Sequence, residues 1–176
     1  MPEYRRHYRE GGNYFFTVVT HHRQKILLND DIRTALRSSV NEVRQTLTFT
    51  VEAWVLLPDH LHCIWTLPEK DDNYSLRWLL IKRGVSKQCN HYFDPKKQST
   101  SRKNRHESTL WQRRFWEHTI RDEGDFERCM NYVHINPVQH GYVKRPVDWP
   151  YSTFHRCVNL GIYNKDWGSD VEFTGD

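Results

Sequence analysis

The feature that most limits how this chain can fold is a pair of β-like runs with almost nothing between them. Residues 49–57, FTVEAWVLL, and 60–67, HLHCIWTL, are rich in aromatic and β-branched side chains and are separated only by Pro58 and Asp59. So short a connection demands an antiparallel hairpin. On the second run alternate residues share a face, so His60 and His62 point the same way, with Leu61 buried behind them.

The rest of the chain supplies partners for that hairpin. Residues 13–20, NYFFTVVT, follow a Gly11-Gly12 turn and suit a strand. From Asp30 or Asp31 the apolar positions Ile32, Leu36, Val40, Val43 and Leu47 fall at helical spacing. A second helix is expected over 75–90, capped by Ser75 with Leu76, Leu79 and Leu80 inward, although Gly84 counts against its second half. Residues 94–109, DPKKQSTSRKNRHEST, have no apolar anchor and read as a mobile basic loop. The run 110–120, LWQRRFWEHTI, reads as a strand, and Asp122 then caps a helix ending at Pro137. Its core stripe is Phe126, Cys129, Met130 and Val133.

This order predicts an α+β fold: a ferredoxin-like β-α-β-β-α-β antiparallel sheet with two helices on one face, plus an additional helix towards the C-terminus. Residues 146–176 are expected to form a tail in which DWPYSTFHR packs as a short helix or extended segment. The length of 176 residues suits one domain spanning 1–176, and no internal repeat is found.

Composition narrows the class. No apolar run approaches the roughly 18 to 20 residues that span a bilayer, and MPEYRRHYRE lacks the apolar centre of a signal peptide, so a cytoplasmic protein is expected. Cys63, Cys89, Cys129 and Cys157 form no C-x-x-C pair and read as reduced thiols. The net charge of +4 is uneven: residues 77–114 hold eleven Lys or Arg against Asp94 and Glu107, a local +9, while the remainder sums to −5. Such an excess suits either a polyanion-binding surface or a solvated loop. Aromatics make up 14% of the chain, including seven Trp, which is more than a minimal core needs and leaves rings for a surface.

Two local signals carry chemistry. The pair His60 and His62 can bind a divalent cation with Asp59 orienting a ring nitrogen, but H-x-H alone also describes an incidental surface pair, and zinc usually requires a third strong ligand. In FERCMNYVHINP, Tyr132 and Asn136 lie off the core stripe, four residues apart on one helical face. A phenol and a carboxamide so placed suit a nucleophile and a hard oxygen ligand to Mg²⁺ or Mn²⁺. They equally suit an edge-packed ring and a C-terminal cap.

Taken together, AWVLLPDHLHCIWTLP and RFWEHTIRDEGDFERCMNYVHINPVQHGYVKRPVDWPYSTFHR, with EYRRHY and GGNYFFTVVT near the start, resemble the REP-associated tyrosine transposases, relatives of the insertion-sequence single-strand transposases. The resemblance covers residues 3 to about 168. It implies that His60 and His62 are the paired metal-binding histidines of the HUH motif and that Tyr132 is the catalytic tyrosine on the additional helix. It implies further that Asn136, where related transposases carry a glutamine one methylene longer, is the third ligand to Mg²⁺ or Mn²⁺. His134 should point elsewhere.

The implied substrate is single-stranded DNA folded as a hairpin from a bacterial repetitive extragenic palindrome, and the resemblance implies a nucleoid-associated protein acting as a monomer. The expected reaction is metal-dependent cleavage and strand transfer through a 5′-phosphotyrosine. Arg5, Arg6, Lys82, Arg83, Arg113, Arg114 and Arg121 are the candidate DNA contacts, with Trp149 and His155 behind them. The alternative is a domesticated hairpin-DNA-binding protein without cleavage. A histidine phosphoester hydrolase of the H-x-H-x-H type is disfavoured because position 64 is Ile.

Overall fold

The structure is a computed structural model that describes residues 10–92 and 110–169. Four strands, β1 (Asn13–Val19), β2 (Thr50–Leu56), β3 (His60–Thr66) and β4 (Trp116–Thr119), form one antiparallel sheet in the order β2-β3-β1-β4. Helices α1 (Asp30–Thr46) and α2 (Tyr74–Gln88) cover one face. Helix α3 (Glu123–Gln139) crosses the other, with the short α4 (Phe154–Asn159) beside it. This is the ferredoxin-like arrangement expected from the sequence.

Strand alternation sorts the side chains into two cores. Tyr14, Phe16 and Val18 from β1 and Leu61, Cys63 and Trp65 from β3 meet α1 and α2, where Trp65 stacks on Trp78 with centroids 4.3 Å apart. Phe15, Ala53, Val55 and Ile64 face Met130 and Val133 of α3, with Phe126 and Cys129 packed more loosely against them. All four cysteines are free thiols.

Five sequence expectations need correction. Asn73, not Ser75, caps α2, its side chain accepting from the Leu76 N–H. Leu76 and Leu79 are exposed rather than inward, because Tyr74, Trp78, Ile81 and Val85 form a better apolar stripe and rotate the leucines towards solvent. Gly84 does not weaken the helix. A Cβ there would lie 2.6 Å from the Ser39 hydroxyl, so the missing side chain is what lets α1 and α2 approach. Strand β4 is shorter than 110–120: Trp111 bridges Thr20 and the Gln112 N–H donates to Val19 O, but residues 113–115 bulge out before pairing resumes at Trp116. Finally, α3 runs through Pro137 to Gln139, since a proline in the last turn forfeits one hydrogen bond while the His140 N–H still reaches Asn136 O and Gly141 turns away at positive φ.

The tail is stitched to the outer edge of β2. The Leu56 N–H donates to Tyr151 O, the Thr153 N–H to Trp54 O, and Trp149 Nε1–H to Leu56 O at 3.0 Å. Arg5, Arg6 and the basic loop 94–109 lie outside the described residues.

One buried charge ties the helical layer together. Arg77 is 1% exposed and donates to the carbonyls of Leu47, Thr48 and Asn73 and to both carboxylate oxygens of Asp71. The guanidinium holds the Asp71 carboxyl below its ordinary value of 3.8. Because the folded state binds this proton more weakly, the stabilisation is full above the ordinary carboxylate value and fades as pH falls through the folded one. Asp71→Asn should cost about 3 kcal/mol in denaturant unfolding at pH 7, the low end for breaking a buried pair, since three carbonyls still hold Arg77. The difference from the parent protein should shrink as the pH is taken down past that window.

Candidate active site

The histidine pair stands on β3 facing α3, both rings about 95% buried. Their centroids are 5.0 Å apart at 81°. Each ring has one nitrogen already fixed. His60 Nδ1–H donates to Asp59 Oδ1 at 2.6 Å, and Asp59 is held in turn by Arg23 at 3.1 Å. His62 Nδ1 is hydrogen-bonded at 2.8 Å to the hydroxyl of Thr17, its cross-strand partner on β1. The Asp59 carboxylate, which can only accept, leaves His60 Nε2 as that ring's available lone pair, and a His62 Nδ1–H donated to the Thr17 oxygen would do the same for His62, which is how ligating imidazoles are commonly prepared.

Electrostatics favours neutral rings. Burial takes the His62 pKa down to about 3, with the neighbouring His60, His140 and Arg23 acting in the same direction. Burial lowers that of His60 too, against the opposing pull of Asp59. Burial alone would raise the Asp59 carboxyl, but its hydrogen bonds to His60 and Arg23 hold it below the usual carboxylate range.

Helix α3 and its C-terminal cap present Tyr132, Asn136 and His140 at four-residue intervals, one stripe on one side. Tyr132 meets His62 edge to face with centroids 5.2 Å apart, and His140 meets His60 at 5.2 Å and 67°. Asn136 therefore sits between them, over the histidine pair. It is 1% exposed, and its Oδ1 has no hydrogen-bond partner among the described residues. An unpaired buried carboxamide oxygen costs about 1–3 kcal/mol, and one on the helix face that meets the two imidazoles fits a cation. Two nitrogens and a neutral hard oxygen suit Mg²⁺ or Mn²⁺.

The Tyr132 side chain is 42% exposed and lines an open cleft of about 410 Å³ with Phe15, Thr17, Trp116, His118, Arg128 and Cys129. His134 turns to the opposite side of α3, hydrogen-bonded to Thr153 Oγ1 at 2.9 Å, as the sequence led one to expect. The candidate DNA contacts are dispersed. Lys82 lies on the helical layer across the sheet, donating to Gln112 O and resting 5.3 Å from the Phe115 ring, with Arg83 exposed beside it. Arg113, Arg114 and Arg121 are exposed on either side of β4. Trp149 is buried against β2, and His155 Nε2 is hydrogen-bonded to its carbonyl. Thr17 and His140 escaped the sequence reading. The i+4 step from Asn136 marks His140, whereas Thr17 is visible only once the β1–β3 register is known.

A family model described as "Transposase IS200 like" matches residues 9–136, ending on Asn136. The chain belongs to this family of transposases. Within it, a REP-associated tyrosine transposase of Escherichia coli K12 is 45% identical over 171 residues, covering 97% of this chain and 93% of its own length. A relative from Haemophilus influenzae is 44% identical over 182 residues, covering 100% and 99%. Among solved structures, a REP-associated tyrosine transposase bound to a REP hairpin superposes with a TM-score of 0.81 at 42% identity, covering 99% of this chain and 96% of that one. The resemblance noted from the sequence thus holds over nearly the full length. Among the described residues no helix is long and apolar enough to cross a membrane.

The orphaned oxygen makes a stability prediction. With divalent ions chelated, Asn136→Leu should leave the fold intact and raise its unfolding free energy by about 1 kcal/mol, because the polar atom without a partner is replaced by apolar volume. Denaturant unfolding in excess chelator measures this, and a loss of stability would mean that Asn136 has a structural partner.

Proposed function

We propose that this protein is a metal-dependent single-strand DNA endonuclease and strand-transferase acting on hairpin DNA of repetitive extragenic palindromes, with Tyr132 as nucleophile. The reading is carried by one observation: Tyr132 stands at ring-contact distance from His62, on the same helical stripe as a buried oxygen with no partner among the described residues. His60 Nε2, His62 Nε2 and Asn136 Oδ1 would hold the cation. When bound, it supplies positive charge next to a non-bridging phosphate oxygen.

The chain's own groups do the rest. The Tyr132 oxygen attacks phosphorus as its proton departs, and the bond from phosphorus to the 3′ oxygen breaks. The products are a 5′-phosphotyrosine and a 3′-hydroxyl, which has taken up a proton. The linkage conserves the phosphodiester for rejoining to another 3′-hydroxyl. Asp59 and Thr17 keep the imidazoles in the tautomer that presents Nε2. Phe15 and Trp116, whose rings meet at 5.7 Å, give the cleft beside Tyr132 an aromatic wall on which an unpaired base can stack. Arg128 lines that cleft, and the exposed Arg113, Arg114 and Arg121 that flank β4 suit the phosphate backbone, as do Arg5 and Arg6 and the basic loop. We assign the working form as a monomer.

Incubation with a hairpin oligonucleotide in Mg²⁺ or Mn²⁺ should give a covalent protein–DNA adduct on a denaturing gel. Chelator should abolish it. Tyr132→Phe should reduce adduct formation by at least about a thousandfold while hairpin affinity changes little. An adduct that persists in this variant refutes the nucleophile. Hairpin binding by the parent protein with no cleavage in any divalent metal establishes the binding-only alternative instead.

A further inference from the structure

A second group of metal-capable side chains stands on the other wall of the Tyr132 cleft. His118 on β4 and Asp125 and Cys129, one turn apart on α3, bring a ring nitrogen, a carboxylate oxygen and a sulfur within 4.8 Å of one another. None of these residues belongs to the histidine pair or to Asn136. The group is also preorganised. His118 Nε2–H donates to Asp125 Oδ2 at 2.8 Å, the Arg121 N–H donates to the same oxygen at 3.0 Å, and Arg128 reaches the other oxygen at 3.4 Å. The His118 ring lies nearly parallel to Trp116, 9° apart in plane. A hydrogen-bonded pair that pins the start of α3 to the edge strand accounts for His118 and Asp125. It does not account for a sulfur converging on the same point.

We infer that His118, Asp125 and Cys129 bind a thiophilic divalent cation of the zinc class, held between β4 and α3 on the wall of the cleft that Tyr132 lines. The donor set is the argument. Nitrogen, oxygen and sulfur from three side chains, two of which line the cleft, match the three protein ligands of a zinc centre that keeps one site for water or an added ligand. Metal–ligand bonds of about 2.0–2.3 Å in a tetrahedron set ligand atoms roughly 3.3–3.8 Å apart. The His118–Asp125 spacing therefore opens by less than an ångström and the sulfur moves in by a comparable amount, within reach of side-chain rotation. Binding releases the Cys129 thiol proton to solvent and shifts the His118 proton from Nε2 to Nδ1. The soft sulfur separates this site from the nitrogen and oxygen set under Asn136, which suits harder ions. Cys129 is three residues before Tyr132, so a bound cation clamps the helical turn that carries the phenol.

Cobalt(II) reports directly on the sulfur, because thiolate coordination gives a charge-transfer absorption in the near ultraviolet that nitrogen and oxygen ligands lack. Titrating the reduced full-length protein with cobalt should produce that absorption, and added zinc should displace it. Cys129→Ser should abolish it, and His118→Gln should weaken cobalt binding at least about tenfold. Cys157→Ser and the double variant His60→Ala/His62→Ala should retain it, with circular dichroism showing that each variant is folded. The proposal is overturned if the parent protein gives no such absorption at saturating cobalt. It is equally overturned if the absorption survives Cys129→Ser or disappears with the histidine pair. Adduct formation at Tyr132 plays no part in these readings, so the two proposals fail separately.

Discussion

The central strand β3 is hydrogen-bonded on both sides, to β1 and to β2, and everything at the candidate site follows from the register this fixes. With a side-chain period of two, Leu61, Cys63 and Trp65 enter the helical layer while His60, His62 and Ile64 face α3. A slip of one residue would drive two imidazoles into the Trp65–Trp78 stack and turn Trp65 out. The same register places Thr17 opposite His62, so the pairing that builds the sheet also orients a ring. Asp59, from the two-residue turn, does the equivalent for His60. Fold and site are thus specified by one set of backbone hydrogen bonds.

The helix opposite follows a different period and meets the strand at matched points. Tyr132, Asn136 and His140 succeed one another by a turn, and the outer two contact the two histidine rings of β3. What lies between is a carboxamide oxygen with no partner among the described residues, in a layer otherwise closed by Met130, Val133 and Val138. A core evolved for stability alone would place an apolar side chain there.

Much of this was legible in the sequence because its signals were local. The Pro58-Asp59 connection dictates a hairpin, alternation pairs His60 with His62, and the four-residue step pairs Tyr132 with Asn136. The convergence of the two pairs was not local, and only the resemblance to the REP-associated transposases supplied it. Where competing residues could fill a stripe, the reading failed: leucines at 76 and 79 lost to the larger Tyr74 and Trp78, whose rings fill the space beneath β1 and β3. The bulge at 113–115 and the survival of α3 beyond Pro137 depend on the end of β1 and on the turn at Gly141, neither of which shows in the segment itself.

The tail that runs beside β2 has a further effect. A sheet ordered β2-β3-β1-β4 leaves β2 as an outer strand, and here Tyr151, Ser152 and Thr153 occupy its free side. These residues leave the ribosome long after β2 does. Until they arrive, the nascent chain carries an open, adhesive strand edge of the kind that recruits neighbouring molecules. Shielding the sheet from self-association is therefore tied to completing synthesis past Thr153, and a shortened product ending after α3 would keep its histidines and tyrosine yet lose the cover on that edge.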